Sequence, residues 1–352
     1  MAGILERDIG RKGLRPGDPY LTATEASQML GVSRMTANRA LNLLARRQLL
    51  TRHRSRGTFV GPDAPRVAAN DSAQQDMKYV HYLTFVDDNP AHQLPVGKML
   101  TGFQAAIDGV MLRTHVLPLN MTPQQFRSEL DAIISAGQTA GVVVTLGTRE
   151  IQQIASECQA PVVIHGSAHP GINLPSLEVD QEQTGRLMAE HAIALGYQRL
   201  VFVAREFWRR GDSLALDGIQ QAAAAAGISN SGVMVRNVST DAKALRVGVE
   251  EILRDMPRPA AFICRLPYFA GAIVEVAKGR GLKVFKDFGV VYDHTSEEGR
   301  PPLPYPCARS EVSVQDQMTL IAQMLTTVAA GGRPDPFRAL VPAHVEIELP
   351  TP

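Results

Sequence analysis

From Tyr79 onward the chain repeats one device: a short apolar run rich in β-branched residues, then a stretch with helical spacing, then another run. The runs are "YVHYLTFV", "THVLPL", "GVVVTL", "APVVIHG", "RLVFVA", "AAFIC" and "FGVVY". Successive side chains of a strand point to opposite faces, so a continuously apolar strand must be covered on both sides. Seven such strands alternating with helices predict parallel sheets between layers of helices, an α/β domain. No short-period repeat is present, which argues against a solenoid. No segment approaches the roughly 18 consecutive apolar residues of a membrane span. The opening "MAGILERDIGRKG" has no apolar run of signal-peptide length. The expectation is a cytoplasmic protein with no membrane partner.

The first sixty residues follow different rules. Ile4, Leu5 and Ile9 sit at helical spacing before Gly13, and "RPGD", Arg15 to Asp18, is a turn signal. Thr22 or Thr24 can cap a second helix with Glu25 in its first turn and Ala26, Met29 and Leu30 facing inward. Gly31 ends that helix and Ser33 caps a third, whose apolar stripe is Ala37, Ala40, Leu41 and Leu44. After Leu50, "TRHRSRGTFV" reads as two β runs around a tip at Ser55 to Gly57. Two helices, a turn and a basic hairpin make a winged helix-turn-helix.

Charge supports that reading. Residues 1 to 62 hold 11 Lys and Arg against 4 Asp and Glu, a net +7, while the remaining 290 hold 25 against 31, a net −6. One end of the chain suits a polyanion. In a major groove Arg can bond guanine and Asn can bond adenine, while Ser, Thr and Arg hold phosphates. The expected partner is double-stranded operator DNA. Arg34, Asn38 and Arg39 belong to the helix, and the wing arginines Arg52, Arg54 and Arg56 reach an adjacent groove or the backbone.

The segment "LERDIGRKGLRPGDPYLTATEASQMLGVSRMTANRALNLLARRQLLTRHRSRGTFV" resembles the DNA-binding domain of GntR-family bacterial transcription factors. The "PGD" turn, "LGVSRMT", "RALNLLARRQLL" and the closing "RGTFV" occur in the family's order. The resemblance implies DNA contacts from Ser33, Arg34, Thr36, Asn38 and Gly57. One position departs: where the family commonly has an Arg in "SERE", this chain has Thr24 within "TATE".

"GPDAPRVAANDSAQQDMK" is poor in large apolar residues and reads as a linker. The domains are therefore expected at 1–62, 63–77 and 78–352. In the last of them "LEVDQEQTGRLMAEHAIALGYQRLVFVA", "GIQQAAAAAGI", "AFIC" and "DFGVVYDH" resemble the effector domain of the LacI family and the related periplasmic sugar-binding proteins. The resemblance implies two Rossmann-like lobes, a ligand cleft between them and three chain crossings, expected near Asp180, near Tyr292 to His294, and near Ala308 to Val314. It also implies a dimer controlled by a sugar or sugar derivative.

Ligands of open α/β sheets bind beyond the carboxyl ends of the strands. The loops there carry the candidate effector residues Asp87, Thr145, Trp208, Arg209, Arg265, Asp293 and His294. Trp208, the single Trp, offers a face for stacking on a sugar. Two family positions are altered. The ligand-binding Arg three residues before the Gly of "GIQQA" falls on Ala215, and the "ND" after "AFIC" falls on Arg265 and Leu266. The pocket has been rebuilt, and arginines on cleft-facing loops can bind a carboxylate or phosphate.

Other classes fit less well. No GxSxG, HExxH, Walker A or GxGxxG motif occurs, so no catalytic residue is assigned and an enzyme is not expected. Cys158, Cys264 and Cys307 are widely spaced without CxxC, which suits buried thiols and neither a metal site nor a disulfide framework. No cofactor is expected. A constitutive DNA-binding protein without effector is the remaining alternative.

Overall fold

Strand β4, Lys78–Val86, shows how the alternation works: Val80 and Tyr82 enter one apolar cluster, Leu83 and Phe85 the one behind it. The computed structural model describes residues 5, 8–9, 14, 16–30, 34–53, 57–62, 78–86, 96–107, 109–256, 258–295 and 302–347. It divides into two units, Met1–Asp76 and Met77–Pro352.

In the first unit β1, Pro19–Tyr20, precedes α1, Ala23–Leu30, and α2, Arg34–Arg46. β2, Leu50–His53, and β3, Gly57–Val60, form an antiparallel hairpin, and β1 adds to it in the order β1-β3-β2. The core joins Leu5, Ile9, Ala26, Ala37, Leu41, Leu44, Leu50 and Val60. The hairpin is the wing that the sequence suggests. β1, two residues of which the first is Pro19, is too short to leave a pattern.

The second unit holds two six-stranded sheets. One lobe contains β4, β5 (Val110–Pro118), β6 (Thr139–Thr145), β7 (Val162–His165), β8 (Ser176–Val179) and a late strand, β14 (Arg338–Val341), in the order β14-β8-β7-β6-β4-β5. All five pairings are parallel. The other lobe has the order β10-β9-β11-β12-β13-β15. Its strands are β9 (Leu200–Arg205), β10 (Val233–Val238), β11 (Ala261–Cys264), β12 (Gly289–Asp293), β13 (Cys307–Ser310) and β15 (Ala343–Glu346). Here β15 runs antiparallel to β13. The expectation of parallel sheets therefore holds except at this edge, where a two-strand return from β14 reverses direction.

Helices cover both faces of each sheet. In the first lobe these are α3 (Val96–Ala106), α4 (Pro123–Ser135), α5 (Arg149–Ser156) and the last helix, α10 (Val314–Ala329). In the second they are α6 (Gln181–Ala194), α7 (Arg210–Ala225), α8 (Ala242–Asp255) and α9 (Pro267–Gly279). α6 and α7 touch backbone to backbone. A Cβ on Gly185 would lie 2.0 Å from the Ala215 carbonyl oxygen, and one on Gly218 would lie 1.9 Å from that of Glu182. Overpacking of this kind costs typically about 1–3 kcal/mol. Gly218→Ala should lower the urea midpoint accordingly, and an unchanged midpoint would mean the two helices separate freely.

The chain crosses between lobes three times: at Asp180 between β8 and α6, at residues 311–313 between β13 and α10, and at Pro342 between β14 and β15. The first two match the expected places. The one expected at Tyr292 to His294 is not a crossing, because β12 and β13 pair side by side in the same sheet. The real third crossing hides in "LVPAHVE", two short strands with mostly wet faces. The crossings are tied together: Asp180 N–H donates to Val341 O (2.8 Å), Glu311 N–H to Pro342 O (2.9 Å) and Ala343 N–H to Gln183 Oε1 (2.8 Å).

Candidate DNA-binding face and effector cleft

The N-terminus of α1 is closed by a reciprocal cap. Glu25 N–H donates to Thr22 Oγ1 (3.3 Å) and Thr22 N–H to Glu25 Oε2 (2.7 Å), and these bonds hold the Glu25 carboxyl below its ordinary range. α2 turns Ala37, Leu41 and Leu44 into the core and leaves Arg34, Arg39 and Asn42 exposed. Asn38 is half-buried on the same side. Arg52 of β2 reaches across to the helix instead of pointing along the wing. Its Nη1 donates to Asn38 Oδ1 at 2.7 Å and also to Asn42 Oδ1. Both amide oxygens face Arg52, so both NH2 groups face away from it. Gly57 opens β3 at φ +103°, a left-handed conformation that a side chain would strain. Ser33, Arg54, Arg56 and the Thr36 side chain lie outside the described residues.

In the second unit Arg265 follows β11, and its N–H extends the ladder to Val203 O. The guanidinium is buried, and each edge is used. Nε donates to Asp212 Oδ1 (2.9 Å), Nη1 to Asp293 Oδ2 and Nη2 to Gln181 Oε1 (2.6 Å). Asp212 and Asp293 are themselves buried. Asp293 Oδ1 also accepts from Thr295 N–H (2.8 Å), and Asp212 Oδ2 accepts from Arg209 N–H (2.7 Å) in the first turn of α7. Burial works against the Arg265 charge and the Asp212 carboxylate favours it.

Gly211 makes room for this cluster. A Cβ there would lie 3.1 Å from Ser167 Oγ of the opposite lobe and 3.2 Å from Arg265 Nη2. Ser167 in turn donates to Glu178 Oε2. Burial, reinforced by the nearby Asp180, holds the Glu178 carboxyl above its ordinary value, while the Ser167 hydrogen bond and then Arg210 and Arg265 pull it back. Ala215 is fully buried in the cluster of Met188 and Phe202, so no ligand-binding arginine could serve from there. The buried guanidinium of this cluster is that of Arg265, just after β11.

The remaining sequence candidates separate. Trp208 donates from Nε1 to Asn237 Oδ1 (2.8 Å) and sets its ring edge-on to Phe202 at 6.0 Å, so it is largely committed to its own lobe. The exposed aromatic of that loop is Phe207, at 70%. His294 is buried with its ring against Tyr292. Thr145 ends β6 in the other lobe, in register with Thr84 of β4 and His165 of β7. Thr84 Oγ1 is buried without a partner among the described residues. Asp87 lies outside them. Sequence reading missed Asp212, Gln181, Ser167 and Glu178. Only Asp212, the acid three residues after Arg209 at a helix start, left a signal. Among the described residues no group of three His, Cys, Asp or Glu side chains is placed to hold a metal. No described helix is long and apolar enough to cross a membrane.

His165 sits between Tyr82 Oη (2.7 Å) and Gln317 Oε1 (3.5 Å), and burial lowers its pKa from 6.5 to about 4. His81, 2.9 Å from His115 Nε2, is lowered to about 4 by burial and then by the His115 and Arg113 charges. The folded state keeps both neutral where the unfolded chain would protonate. Stability is therefore full above about pH 6.5 and is lost as the pH falls from there toward about 4. Unfolding temperatures should drop between about pH 7 and pH 5, and His165→Gln should flatten the drop; equal pH profiles for the two proteins would contradict this.

The family profile described as periplasmic binding proteins and sugar binding domain of LacI family matches residues 90–297. The chain belongs to that family. A second profile, bacterial regulatory proteins of the gntR family, matches residues 2–60. The protein is thus a DNA-binding transcriptional regulator that joins a GntR-type head to a LacI-type effector domain. It is similar to the arabinose metabolism transcriptional repressor of Geobacillus stearothermophilus, at 23% identity over 293 residues that cover 79% of this chain and 76% of that one. A LacI-family regulatory protein from Chloroflexus aggregans shares the fold at TM-score 0.64 and 17% identity, covering 77% of this chain and 97% of its own. The complex of the transcriptional regulator CelR with cellobiose gives 0.63 and 18%, with 93% and 99% covered. The lac repressor dimer bound to operator and an anti-inducer gives 0.63 and 15%, with 81% and 97% covered.

Proposed function

We propose that the protein is a dimeric repressor whose operator affinity is set by a sugar or sugar derivative bound between the lobes, and that it is not an enzyme. The observation that carries this is the cleft: strand ends and helix starts of both lobes bring Ser167, Glu178, Gln181, Arg209, Asp212, Arg265 and Asp293 together around one hinge. The repressor named above acts in arabinose metabolism and CelR was crystallised with cellobiose, which supports a sugar-type effector here. Two heads on a two-fold axis reach two half-sites about one helical turn apart, so the operator is an inverted repeat read in the cytoplasm. Thermal-shift screening of sugars and their derivatives tests the effector reading, since a ligand of the native state raises its melting temperature.

On the DNA side, Ser33, Arg34, Thr36, Asn38 and Arg39 form the reading face, with Arg54, Arg56 and Gly57 on the wing. Arg52 fixes which end of Asn38 faces the groove. Asn38→Ala should then relax one operator position by about 1–3 kcal/mol, and Arg52→Ala should relax the same position. Binding to single-base operator variants selected from random duplexes checks this. Arg52→Ala acting equally on all duplexes would reduce Arg52 to a phosphate contact.

A further inference from the structure

Arginines gather at one end of the cleft. Arg205 ends β9, Arg209 and Arg210 open α7, and Arg265 follows β11. Asp212 and Asp293 face Arg265, and Arg205 Nε lies 3.3 Å from Asp212 Oδ2. Two cations and two carboxylates cancel there. Arg209 and Arg210 remain: Asp212 also favours the Arg209 charge, and across the lobe junction Glu178, tied to Ser167 and with Asp180 nearby, acts on Arg210.

Asp212 Oδ2 is taken by the Arg209 backbone N–H, so Arg205 Nε faces it at 3.3 Å without hydrogen-bond geometry, and the Arg209 Nε is shut from solvent with no acceptor among the described residues. Burial works against the Arg209 charge, the like charge of Arg205 adds to that cost, and Asp212 offsets part of it. A hydroxyl would supply an acceptor and leave the repulsion. A carboxylate or phosphate supplies acceptors matched to guanidinium forks and cancels the charge as well.

Resting on the reading of the cleft as the effector site, we propose that the effector is an anionic sugar derivative whose carboxylate or phosphate sits on Arg209, with Arg205 and Arg210 beside it. Closing the lobes then holds the anion against Arg209 and Arg210 at the start of α7.

The test uses the full chain with matched panels: neutral aldoses, their aldonic and uronic acids, their phosphate esters, and inorganic phosphate as the ion alone. Calorimetric titration should find an acid or ester that binds at least tenfold more tightly than its parent sugar. Arg209→Gln and Arg210→Gln should each weaken that binding at least tenfold, while Arg246→Gln, an exposed residue paired with Glu250, should leave it unchanged. Binding of a neutral sugar in preference to its charged partners would overturn the charge assignment and leave the cleft reading standing. Binding of the anions undiminished in both arginine variants would overturn it too. Failure of every member, phosphate included, would overturn the cleft reading together with it.

Discussion

Arg265→Leu should lower the unfolding temperature by on the order of 10 °C, the largest stability loss expected from any single change in the cleft. The substitution keeps the bulk of the side chain and removes the cation that Asp212 and Asp293 share. Breaking a buried pair by deleting one partner typically costs about 3–5 kcal/mol, because the surviving charge stays buried without compensation. For a chain of this size each kcal/mol moves the midpoint by roughly 2–4 °C. Arg265→Lys should lose less, since an ammonium keeps the charge but cannot serve Asp212, Asp293 and Gln181 at once. Adding Asp212→Asn and Asp293→Asn to Arg265→Leu should recover much of the loss. Scanning calorimetry on the four proteins decides the matter. An unchanged midpoint for Arg265→Leu, or no recovery in the triple variant, would show that the cluster is hydrated and weak.

Gly211→Val should abolish effector control while leaving operator binding without effector within about twofold. Even one carbon at this position would stand 3.1 Å from Ser167 Oγ, and a branched side chain would drive the two lobes apart there. Effector and operator affinities are linked through one coupling free energy, typically about 1–3 kcal/mol, or roughly 5–150-fold in affinity. A wedge that forbids the closed arrangement removes that coupling without touching the head. Gly211→Ala should retain part of it. The measurement is operator affinity with and without saturating effector for each variant. Full control in Gly211→Val would mean that the lobes do not meet at this contact when the effector binds.

How much of this could be read in the sequence depends on how local the cause is. The head could be read because its determinants lie within a few residues: the Thr22 and Glu25 cap, the stripe of Ala37, Leu41 and Leu44, the glycine at the hairpin. The α/β lobes could be read because central strands such as "RLVFVA" are apolar on both faces. β8, β10, β13, β14 and β15 escaped because edge and hinge strands such as "CARS" and "AHVE" carry charges on a wet side. Of the cleft, Arg265 and Asp293 were found as strand-end residues, but their contact spans 28 positions and the one to Asp212 spans 53. Nothing local announces such partners. Trp208 shows the same distance from the other side: composition draws attention to a lone aromatic, but its partner Asn237, 29 residues away, leaves no local signal.

The three crossings also mean that neither lobe is a continuous piece of chain. The first lobe's sheet is laid down by β4 to β8, yet the face carrying Val80 and Tyr82 is covered by Met318, Ile321 and Leu325 of α10, and its edge strand β14 comes later still. A ribosome adding about 5–20 residues per second needs roughly twelve to fifty seconds between finishing β4 and finishing α10. Through that interval the head can fold and the second lobe can largely assemble, while an apolar wall of the first lobe faces water. The order of completion is therefore head, second lobe, first lobe. That apolar wall stays open to association until the chain's own last helix closes it.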